Sequence, residues 1–497
     1  MMFNNVPGGY CASGASRVWC PRFSVSPPNR LKPGHRTASR SGNGARLCPQ
    51  YCAFLRFFNS HHRPFPTQAT SEFAFSTSCA ITVASLPSAP DHETRPAPLL
   101  EGEGRPAILR RLAFIACGLA AGLLLSEVAL RLIFPQPRGY FLLPPNSRDE
   151  MRIPASMLAD MPSLARHSIN AQGVRGDPIG QEQDYRILTI GGSTTACGAL
   201  DAQQTWPARL QTILNDRSPQ RRVWVGNLGK DGLSTRHHLV TMSRFLPQHP
   251  KVDTLIFLVG VNDLLGRLAA DQEYQALSVT QIENDSNVLA RTFAIVPPGA
   301  VSKPWYRRLA LWRLAARSLA ALHTLAAPPP EQAVAQARAQ RRNARVLRSK
   351  LPDLGPALRE YEQNLEALIV RGRERGLRMI FLTQPALWKQ EGATPAETQT
   401  LMFGLVGREP GKATEYYAVP ALAEGMARYN EVLRRVCREN NVECVDLAAK
   451  LKPDLSVFYD DCHFNISGAG QVAQLVAEHL LARPPFAPAE ATGLSRR

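Results

Sequence analysis

The feature that most constrains the fold is an alternation of short apolar runs with longer helical stretches, which begins near Tyr185. Five runs are rich in β-branched residues, as buried parallel strands are: 186–190, 223–225, 254–259, 378–383 and 442–447. The intervening stretches with helical spacing are 206–217, 235–246, 358–375 and 416–440. Strands joined by crossover helices predict an α/β protein, a three-layer α/β/α sandwich around a mostly parallel five-stranded sheet. Active sites of such sheets form at the carboxyl ends of the strands.

A second feature is the apolar segment 112–134, LAFIACGLAAGLLLSEVALRLIF. Its length suffices to cross a hydrocarbon core of about 30 Å. Arg105, Arg110 and Arg111 precede it, which by the positive-inside rule keeps the N-terminus in the cytoplasm. The sequence predicts a single-pass protein of a bacterial inner membrane whose α/β domain faces the periplasm or the exterior. The alternatives are a buried core helix and, less favoured, a lipoprotein site at Cys117.

Other parts of the chain do not share this pattern. Residues 1–104 are rich in Pro, Ser, Gly and Arg, and predict a disordered or mis-assigned extension, with an organellar transit peptide as the alternative. We expect a linker over 135–164, the α/β domain over 165–482 and a disordered tail over 483–497. Residues 1–111 carry 13 Lys/Arg and 5 Asp/Glu, about half of the net charge of +17. This distribution argues against nucleic-acid binding.

Residues 264–350 interrupt the alternation and predict a helical insertion. Part of it is apolar with interspersed Arg, over 305–325, and 338–350 is strongly basic. We interpret the insertion as a helical hairpin packed on the core with a solvated face. The alternatives are a substrate lid and a contact with anionic lipids.

The cysteines and the histidines do not indicate a metal site. None of the ten cysteines has zinc-ligand spacing with histidine partners, so we expect neither a metal nor a cofactor. Cys197, Cys437, Cys444 and Cys462 fall in the α/β domain. Their disulfide state is open, and a bond between Cys197 and Cys462 is one hypothesis.

Polar and glycine-rich turns follow the predicted strands in order. They are Gly191-Gly192-Ser193-Thr194, the turn from Asn227 to Ser234 with Gly229 and Gly232, Gly260-Val261-Asn262-Asp263, and, before the last helix, Asp460-Asp461-Cys462-His463-Phe464-Asn465. Each alone is an ordinary turn or cap. Together they would converge at one edge of the sheet, which predicts a nucleophile, hydrogen-bond donors and an Asp–His pair in one site.

These four blocks resemble the SGNH (GDSL-type) hydrolase family, which has a flavodoxin-like fold. The resemblance implies Ser193 as nucleophile, His463 as general base and Asp460 as its orienting carboxylate. It also implies an oxyanion hole from the N–H groups of Ser193 and Gly232 and the Asn262 side chain.

Some positions leave alternatives or depart from the family pattern. Gly232 fits the second block better than Gly229 does, and Asp461 is an alternative to Asp460 as the histidine's partner. Gly192 replaces the Asp of the GDS signature, and Phe464 stands where many members have Pro.

Two further segments are similar to those of membrane-anchored members of the family. They are Asn170 to Gly176, and Thr383-Gln384-Pro385 followed by Trp388. The resemblance therefore implies a membrane-anchored serine esterase, which we expect to act on O-acetyl esters of envelope or extracellular carbohydrate. Lipid-ester or thioester hydrolysis, acyl transfer and a non-catalytic assembly role are the alternatives. The expected partners are an acylated carbohydrate or lipid and the membrane, and the oligomeric state stays open.

Overall fold

A computed structural model describes residues 10–13, 16–19, 104–134, 138–153, 160–180, 182–301, 304–325, 330–407 and 415–487. Its strands are β1 Tyr10–Ser13, β2 Ser16–Trp19, β3 Arg148–Arg152, β4 Leu164–Ser168, β5 Tyr185–Gly191, β6 Val223–Asn227, β7 Thr254–Leu258, β8 Val346–Arg348, β9 Arg378–Leu382, β10 Glu415–Tyr417 and β11 Glu443–Val445. Its α-helices are α1 Gly104–Ile133, α2 Ser193–Ala196, α3 Trp206–Arg217, α4 Thr235–Val240, α5 Val261–Ala270, α6 Val279–Asn284, α7 Ser286–Thr292, α8 Ala310–Leu325, α9 Pro330–Arg342, α10 Gly355–Glu374, α11 Pro395–Thr398, α12 Val419–Glu439, α13 Leu447–Lys450 and α14 Ile466–Leu481.

The central sheet confirms the predicted fold class. Five strands pair in the order β11-β9-β7-β5-β6, and every pairing is parallel. Strands β6 and β7 are buried at every residue, which is why their sequences are apolar without alternation. Strand β5, which leads to the first polar turn, lies between β6, at one edge of the sheet, and β7, its central strand.

Two predicted helices differ from the observed elements. The prediction of a helix over 416–440 was wrong at its start, because Tyr416 and Tyr417 belong to β10, which pairs with β8. Helix α12 begins at Val419, three residues after the predicted start, with Pro420 in the first turn, where a proline costs no hydrogen bond. The helix predicted over 235–246 is α-helical only through Val240 and continues as a π-helix and then a 3₁₀ turn that contains Pro247.

The stretch expected to be a linker over 135–164 contains regular structure. Strands β3 and β4 pair antiparallel, with Met151 opposite Ala165, and both of these side chains are buried. Leu142 is also fully buried in the core of the α/β domain. The ordered domain therefore begins before residue 165, because apolar residues of this stretch complete its core.

The chain divides into two compact units. One contains α1 together with Leu309–Leu311, and the other contains the α/β domain. Among the described residues one helix, Ala107–Ile133, is long and apolar enough to cross a membrane by length and composition, and almost none of it is buried. Pro135 follows the end of this helix, where the backbone before a proline leaves the helical region.

The predictions for the chain termini are largely outside the described residues. In 1–104 the structure describes β1 and β2, a short antiparallel pair, which the expectation of disorder did not include, and the start of α1. The remainder of that stretch lies outside the described residues, as does 488–497 of the predicted tail.

The insertion is helical, as predicted, but its basic part is solvated only in part: Arg342, Arg345 and Lys350 are exposed. The side chains of Arg338 and Arg341 are buried, and both donate to backbone carbonyls of the domain. The two buried guanidinium groups satisfy carbonyls inside the fold, so they are not available to a substrate or a headgroup as the exposed basic residues of this stretch are.

The cysteine hypothesis also failed. Cys117, Cys197, Cys437, Cys444 and Cys462 are all free thiols. Burial raises the pKa of Cys197 to about 11 and raises that of Cys462 well above its usual value. Both thiols are therefore protonated at neutral pH, which makes them poor nucleophiles and poor metal ligands.

Candidate active site

The first polar turn presents Ser193 at the end of β5. The strand ends at Gly191, and Ser193 is the first residue of α2, a single helical turn that closes with Cys197 in the left-handed conformation. The first N–H groups of a helix have no partner within the helix, so the Ser193 N–H is available to an incoming oxygen. The side chain of Trp206 donates to the carbonyl of Thr194 at 3.2 Å and supports this turn from α3.

His463 and Asp460 reach this serine from the loop before α14. His463 Nε2 lies 2.7 Å from Ser193 Oγ, and His463 Nδ1 lies 2.7 Å from Asp460 Oδ2. Asp460 Oδ1 also accepts from the backbone N–H of His463 at 2.9 Å and of Cys462 at 3.0 Å. The two backbone bonds fix the carboxylate, so it can hold the imidazole with its Nδ1 protonated and its Nε2 free to accept from the hydroxyl.

Asp461 faces a different part of the fold. It accepts from Trp388 Nε1 at 2.8 Å and from the backbone N–H of Met402 at 2.7 Å and of Phe403 at 3.2 Å. The structure brings Asp460, not Asp461, to His463. Trp388, singled out in the sequence, is part of this support, and it ties the loop after β9 to the loop that carries His463.

The second and third polar turns meet beside Ser193. Asn262 Nδ2 donates one hydrogen to the carbonyl of Leu233 at 2.8 Å, which orients the amide and leaves its second hydrogen for a ligand. Gly232 has a positive φ of 71°, in the turn closed by the bond from Leu233 N–H to Lys230 O. The Gly229 N–H instead donates to Asn227 Oδ1 at 2.8 Å, so it cannot serve an oxyanion.

Position 192 has no room for a side chain. A Cβ at Gly192 would lie 2.1 Å from Asn262 Nδ2 and 3.2 Å from Leu233 O. A side chain here would displace the amide, which explains why this chain does not carry the aspartate of the GDS signature.

We expect Gly192→Ala to lower kcat/KM for ester hydrolysis by about 10²–10³-fold, since it displaces one oxyanion donor. Asn262→Ala removes the same donor and is expected to have a similar effect. Because both changes act through one amide, the double variant should be little worse than either single variant, as steady-state kinetics of the three would measure. Multiplicative losses in the double variant would contradict this reading.

Arg175, in a segment noted in the sequence, supports the serine turn from behind. Its buried guanidinium donates to the carbonyls of Ala196, of Cys197 at 3.2 Å and of Leu200 at 2.8 Å. These carbonyls lie at and after the end of α2, where a helix leaves its last carbonyls without partners. Arg175 thus holds in place the segment that follows Ser193.

Other residues near His463 were not identified from the sequence. The imidazole stacks on Tyr459 at a centroid distance of 5.6 Å and meets Phe403 edge-on at 5.9 Å. Arg338 donates to the Tyr459 carbonyl at 3.2 Å, and Arg341 donates to that of Phe403. The sequence shows only that this helix is rich in arginine. It does not show that the face with Arg338 and Arg341 is buried, so their contacts beside His463 could not be predicted.

Burial and the nearby carboxylates act on the pKa of His463 in opposite directions. Burial lowers the pKa of His463, but the Asp460 carboxylate, with smaller contributions from Asp231 and Asp461, more than offsets this, so the pKa lies above its ordinary 6.5. Burial raises the pKa of Asp231 to about 6, so at neutral pH it is mostly ionised. Asp231 directly precedes Gly232, and one of its carboxylate oxygens is buried without a hydrogen-bond partner.

We expect the acid limb of kcat/KM to have its midpoint above pH 6.5, because a general base must be neutral and protonation of His463 stops the reaction. Activity is lost as the pH falls through this pKa. Asp231→Asn removes one of the carboxylates that raise it, so the midpoint should shift to lower pH. A pH–rate profile of the two proteins measures this, and an unchanged or raised midpoint in Asp231→Asn would refute the assignment.

Asp460, Cys462 and His463 also lie close enough together to bind a metal ion by distance alone. The chemistry of the group does not suit one. The Asp460 carboxylate is already engaged by three donors, and the Cys462 thiol stays protonated. The contacts of Asp460 and His463 are those of a hydrogen-bonded Asp–His pair, and a protonated Cys462 thiol is a poor third ligand for a metal.

Comparison with known proteins places the chain in a family. Residues 189–470 match the family model of the GDSL-like lipase/acylhydrolase family. A search of curated proteins finds no match.

Solved structures similar to this chain include an α/β hydrolase, LAE5, from the metagenome of Lake Arreo, at 16% identity and a TM-score of 0.32, covering 60% of this chain and 94% of that one. Another is the acetylxylan esterase Axe2 of Geobacillus stearothermophilus, at 14% identity and a TM-score of 0.32, covering 60% and 94%. A third is the acetyl xylan esterase AlAXEase, at 12% identity and a TM-score of 0.31, covering 59% and 99%. The matched family model spans all four polar turns and more than half of the chain, so this protein belongs to the GDSL-like lipase/acylhydrolase (SGNH-type) family and is a hydrolase of ester bonds.

Proposed function

We propose that the protein is a membrane-anchored serine esterase that removes short acyl groups, above all O-acetyl groups from carbohydrate. The observation that carries the catalytic part is the continuous hydrogen-bonded chain from Ser193 through His463 to Asp460, with both bonds between side chains at 2.7 Å. All three groups are buried in the α/β domain, where a charged transition state is screened little by water.

The mechanism follows from the hydrogen bonds. His463 Nε2 takes the proton of the Ser193 hydroxyl as the oxygen attacks the ester carbonyl, and Asp460 stabilises the imidazolium that forms. The Ser193 and Gly232 N–H groups and the Asn262 amide donate to the oxyanion. The imidazolium then protonates the departing alcohol, leaving an acyl-enzyme. Water attacks this ester with His463 as base, and the proton returns to the serine as the acid leaves.

The burial of the site supports a small acyl group. Ser193 is 1% exposed and His463 is 3% exposed, and the aromatic rings of Phe403 and Tyr459 pack against the imidazole. A long acyl chain requires an apolar channel that starts at the nucleophile, whereas an acetyl group requires little more space than the carbonyl itself. An acetylated sugar would leave most of the substrate outside this enclosure.

The test is hydrolysis of p-nitrophenyl acetate, butyrate, octanoate and palmitate by the full chain in detergent micelles, with Ser193→Ala as the control. We expect kcat/KM to fall by at least about tenfold from acetate to octanoate, because Ser193 and His463 are almost fully buried and each added methylene needs further space beside them. Acetate release from an O-acetylated oligosaccharide should likewise depend on Ser193. A preference for octanoate or palmitate would instead indicate lipid esters.

The same assay separates hydrolysis from acyl transfer. An unacetylated oligosaccharide is added to the reaction, and both free acetate and acetylated sugar are measured. Under the proposal free acetate dominates and the sugar does not change the yield. Acetylated sugar as the main product would overturn hydrolysis as the function while leaving the nucleophile in place.

We further propose that α1 anchors the protein in a bacterial inner membrane, with the α/β domain on the periplasmic or outer side. The length and composition of Ala107–Ile133 and the arginines before it support this. Alkaline carbonate extraction of membranes tests the anchor. Release of the full chain into the soluble fraction would refute it.

A further inference from the structure

One stretch of the insertion combines exposed apolar residues with positive charge. From 286 to 330 the chain has no acidic residue and six basic ones: Arg291, Lys303, Arg307, Arg308, Arg313 and Arg317. Within it we define the aromatic–basic segment as residues 305–322. Trp305 is 74% exposed and Trp312 is 44% exposed, and Leu314, Leu319 and Leu322 are exposed as well. Large apolar side chains so concentrated on a surface mark a site of interaction.

The aromatic residues of this segment are arranged together. Tyr306 packs edge-on against both Trp305, at a centroid distance of 6.2 Å, and Trp312, at 5.0 Å. Arg307 and Arg308 are exposed beside them. Trp and Tyr with neighbouring arginines are the composition that prefers the boundary between lipid headgroups and acyl chains.

The start of this helix is held by the apolar helix α1. Glu127 of α1 accepts from the backbone N–H of Ala310 at 2.8 Å and of Leu311 at 3.0 Å, the first residues of α8. Its carboxylate also accepts from Arg131 at 2.7 Å. A carboxylate is favourable at a helix N-terminus, where unpaired N–H groups and the helix dipole meet it. This explains the one acidic residue of α1, Glu127.

The position of Glu127 sets the depth of the segment. Glu127 lies six residues before the end of α1 at Ile133, which is about 9 Å along a helix axis. Interfacial helices lie about 5–10 Å into the boundary between headgroups and acyl chains. The hydrogen bonds from Ala310 and Leu311 to Glu127 therefore hold the N-terminus of α8 at the depth typical of interfacial helices. Trp312 directly follows Leu311 in the chain.

We propose that the aromatic–basic segment lies in the headgroup region of an anionic phospholipid bilayer, on the side of the membrane that the C-terminal end of α1 reaches. The proposal rests on α1 being a membrane anchor. The tryptophans and leucines enter the acyl boundary, and Arg307 and Arg308 contact the anionic headgroups. The segment is then a second membrane contact of the chain, in addition to α1.

The experiment is tryptophan fluorescence of the full chain in proteoliposomes of phosphatidylcholine and phosphatidylglycerol that carry bromine on their acyl chains. All proteins compared carry Trp19→Phe, which removes the one other tryptophan of the chain. Trp206, Trp224 and Trp388 are buried in the domain and contribute a background that bromolipid does not quench. We expect strong quenching in the wild-type protein. The Trp305→Phe/Trp312→Phe double variant should lose most of it, and Arg307→Gln/Arg308→Gln should weaken it in the anionic vesicles.

A matched control places a tryptophan elsewhere on the exposed surface. Val370 of α10 is exposed and lies outside the segment, so Val370→Trp in the double-variant background should add fluorescence that bromolipid does not quench. Quenching in the wild type no greater than in the double variant would overturn the proposal. Carbonate extraction of the same vesicles reports on the anchor separately, since a chain that resists extraction but shows no quenching of these tryptophans retains the anchor and lacks the second contact.

Discussion

Ser193→Ala is expected to lower kcat/KM for p-nitrophenyl acetate by at least about 10⁴-fold, because the attacking oxygen is removed. The side chain is almost fully buried, and the replacement leaves space the size of one oxygen atom. The free energy of unfolding should therefore change little, as denaturant titration would measure. A variant that keeps more than about a tenth of the activity would show that another group is the nucleophile.

The double variant Ser193→Ala/His463→Ala sharpens this test. In the proposed mechanism His463 Nε2 accepts the proton of Ser193 Oγ. Removing the imidazole from a protein that already lacks the hydroxyl should therefore lower kcat/KM almost no further. Groups that act as one unit are strongly non-additive. A large additional loss in the double variant would mean that the histidine has a separate role.

Asp460→Asn is expected to lower kcat by about 10⁴-fold while the protein stays folded. An amide nitrogen in place of the Oδ2 oxygen cannot accept from His463 Nδ1, so the imidazole is driven to the tautomer with its proton on Nε2. That nitrogen then faces Ser193 Oγ as a donor and cannot take the hydroxyl proton. Steady-state kinetics and thermal unfolding of the same preparation measure the two effects.

Asp461→Asn is the matched control, since it makes the same chemical change at the neighbouring residue. Asp461 accepts from Trp388 and from two backbone N–H groups but does not contact the imidazole. We expect a stability loss of about 2 kcal/mol from the weakened buried hydrogen bonds, with a much smaller effect on kcat than Asp460→Asn has. The reverse pattern, a catalytic collapse in Asp461→Asn alone, would assign the histidine's partner to Asp461.

The sequence by itself determined the sheet and the order of the polar turns. Buried parallel strands must be apolar on both faces, so β5, β6, β7 and β9 are visible as short β-branched runs. The carboxyl ends of parallel strands lie at one edge, so the serine, glycine and asparagine turns that follow β5, β6 and β7 had to share that edge. Local composition and chain order are enough for this, because each strand is identified within a few residues.

Only the tertiary structure decided which polar groups meet. Asp460 and Asp461 are adjacent in the chain and chemically identical. Asp460 is held by the N–H groups of Cys462 and His463, whereas the direction of Asp461 depends on Trp388 and on backbone donors about 60 residues away in the chain. The partners of Arg338 and Arg341 also depend on the tertiary structure. From the sequence they are predicted to be surface charges, but in the fold they donate to buried carbonyls. The local sequence does not reveal such partners, because burial and hydrogen bonding across the fold depend on contacts between segments that are distant in the chain.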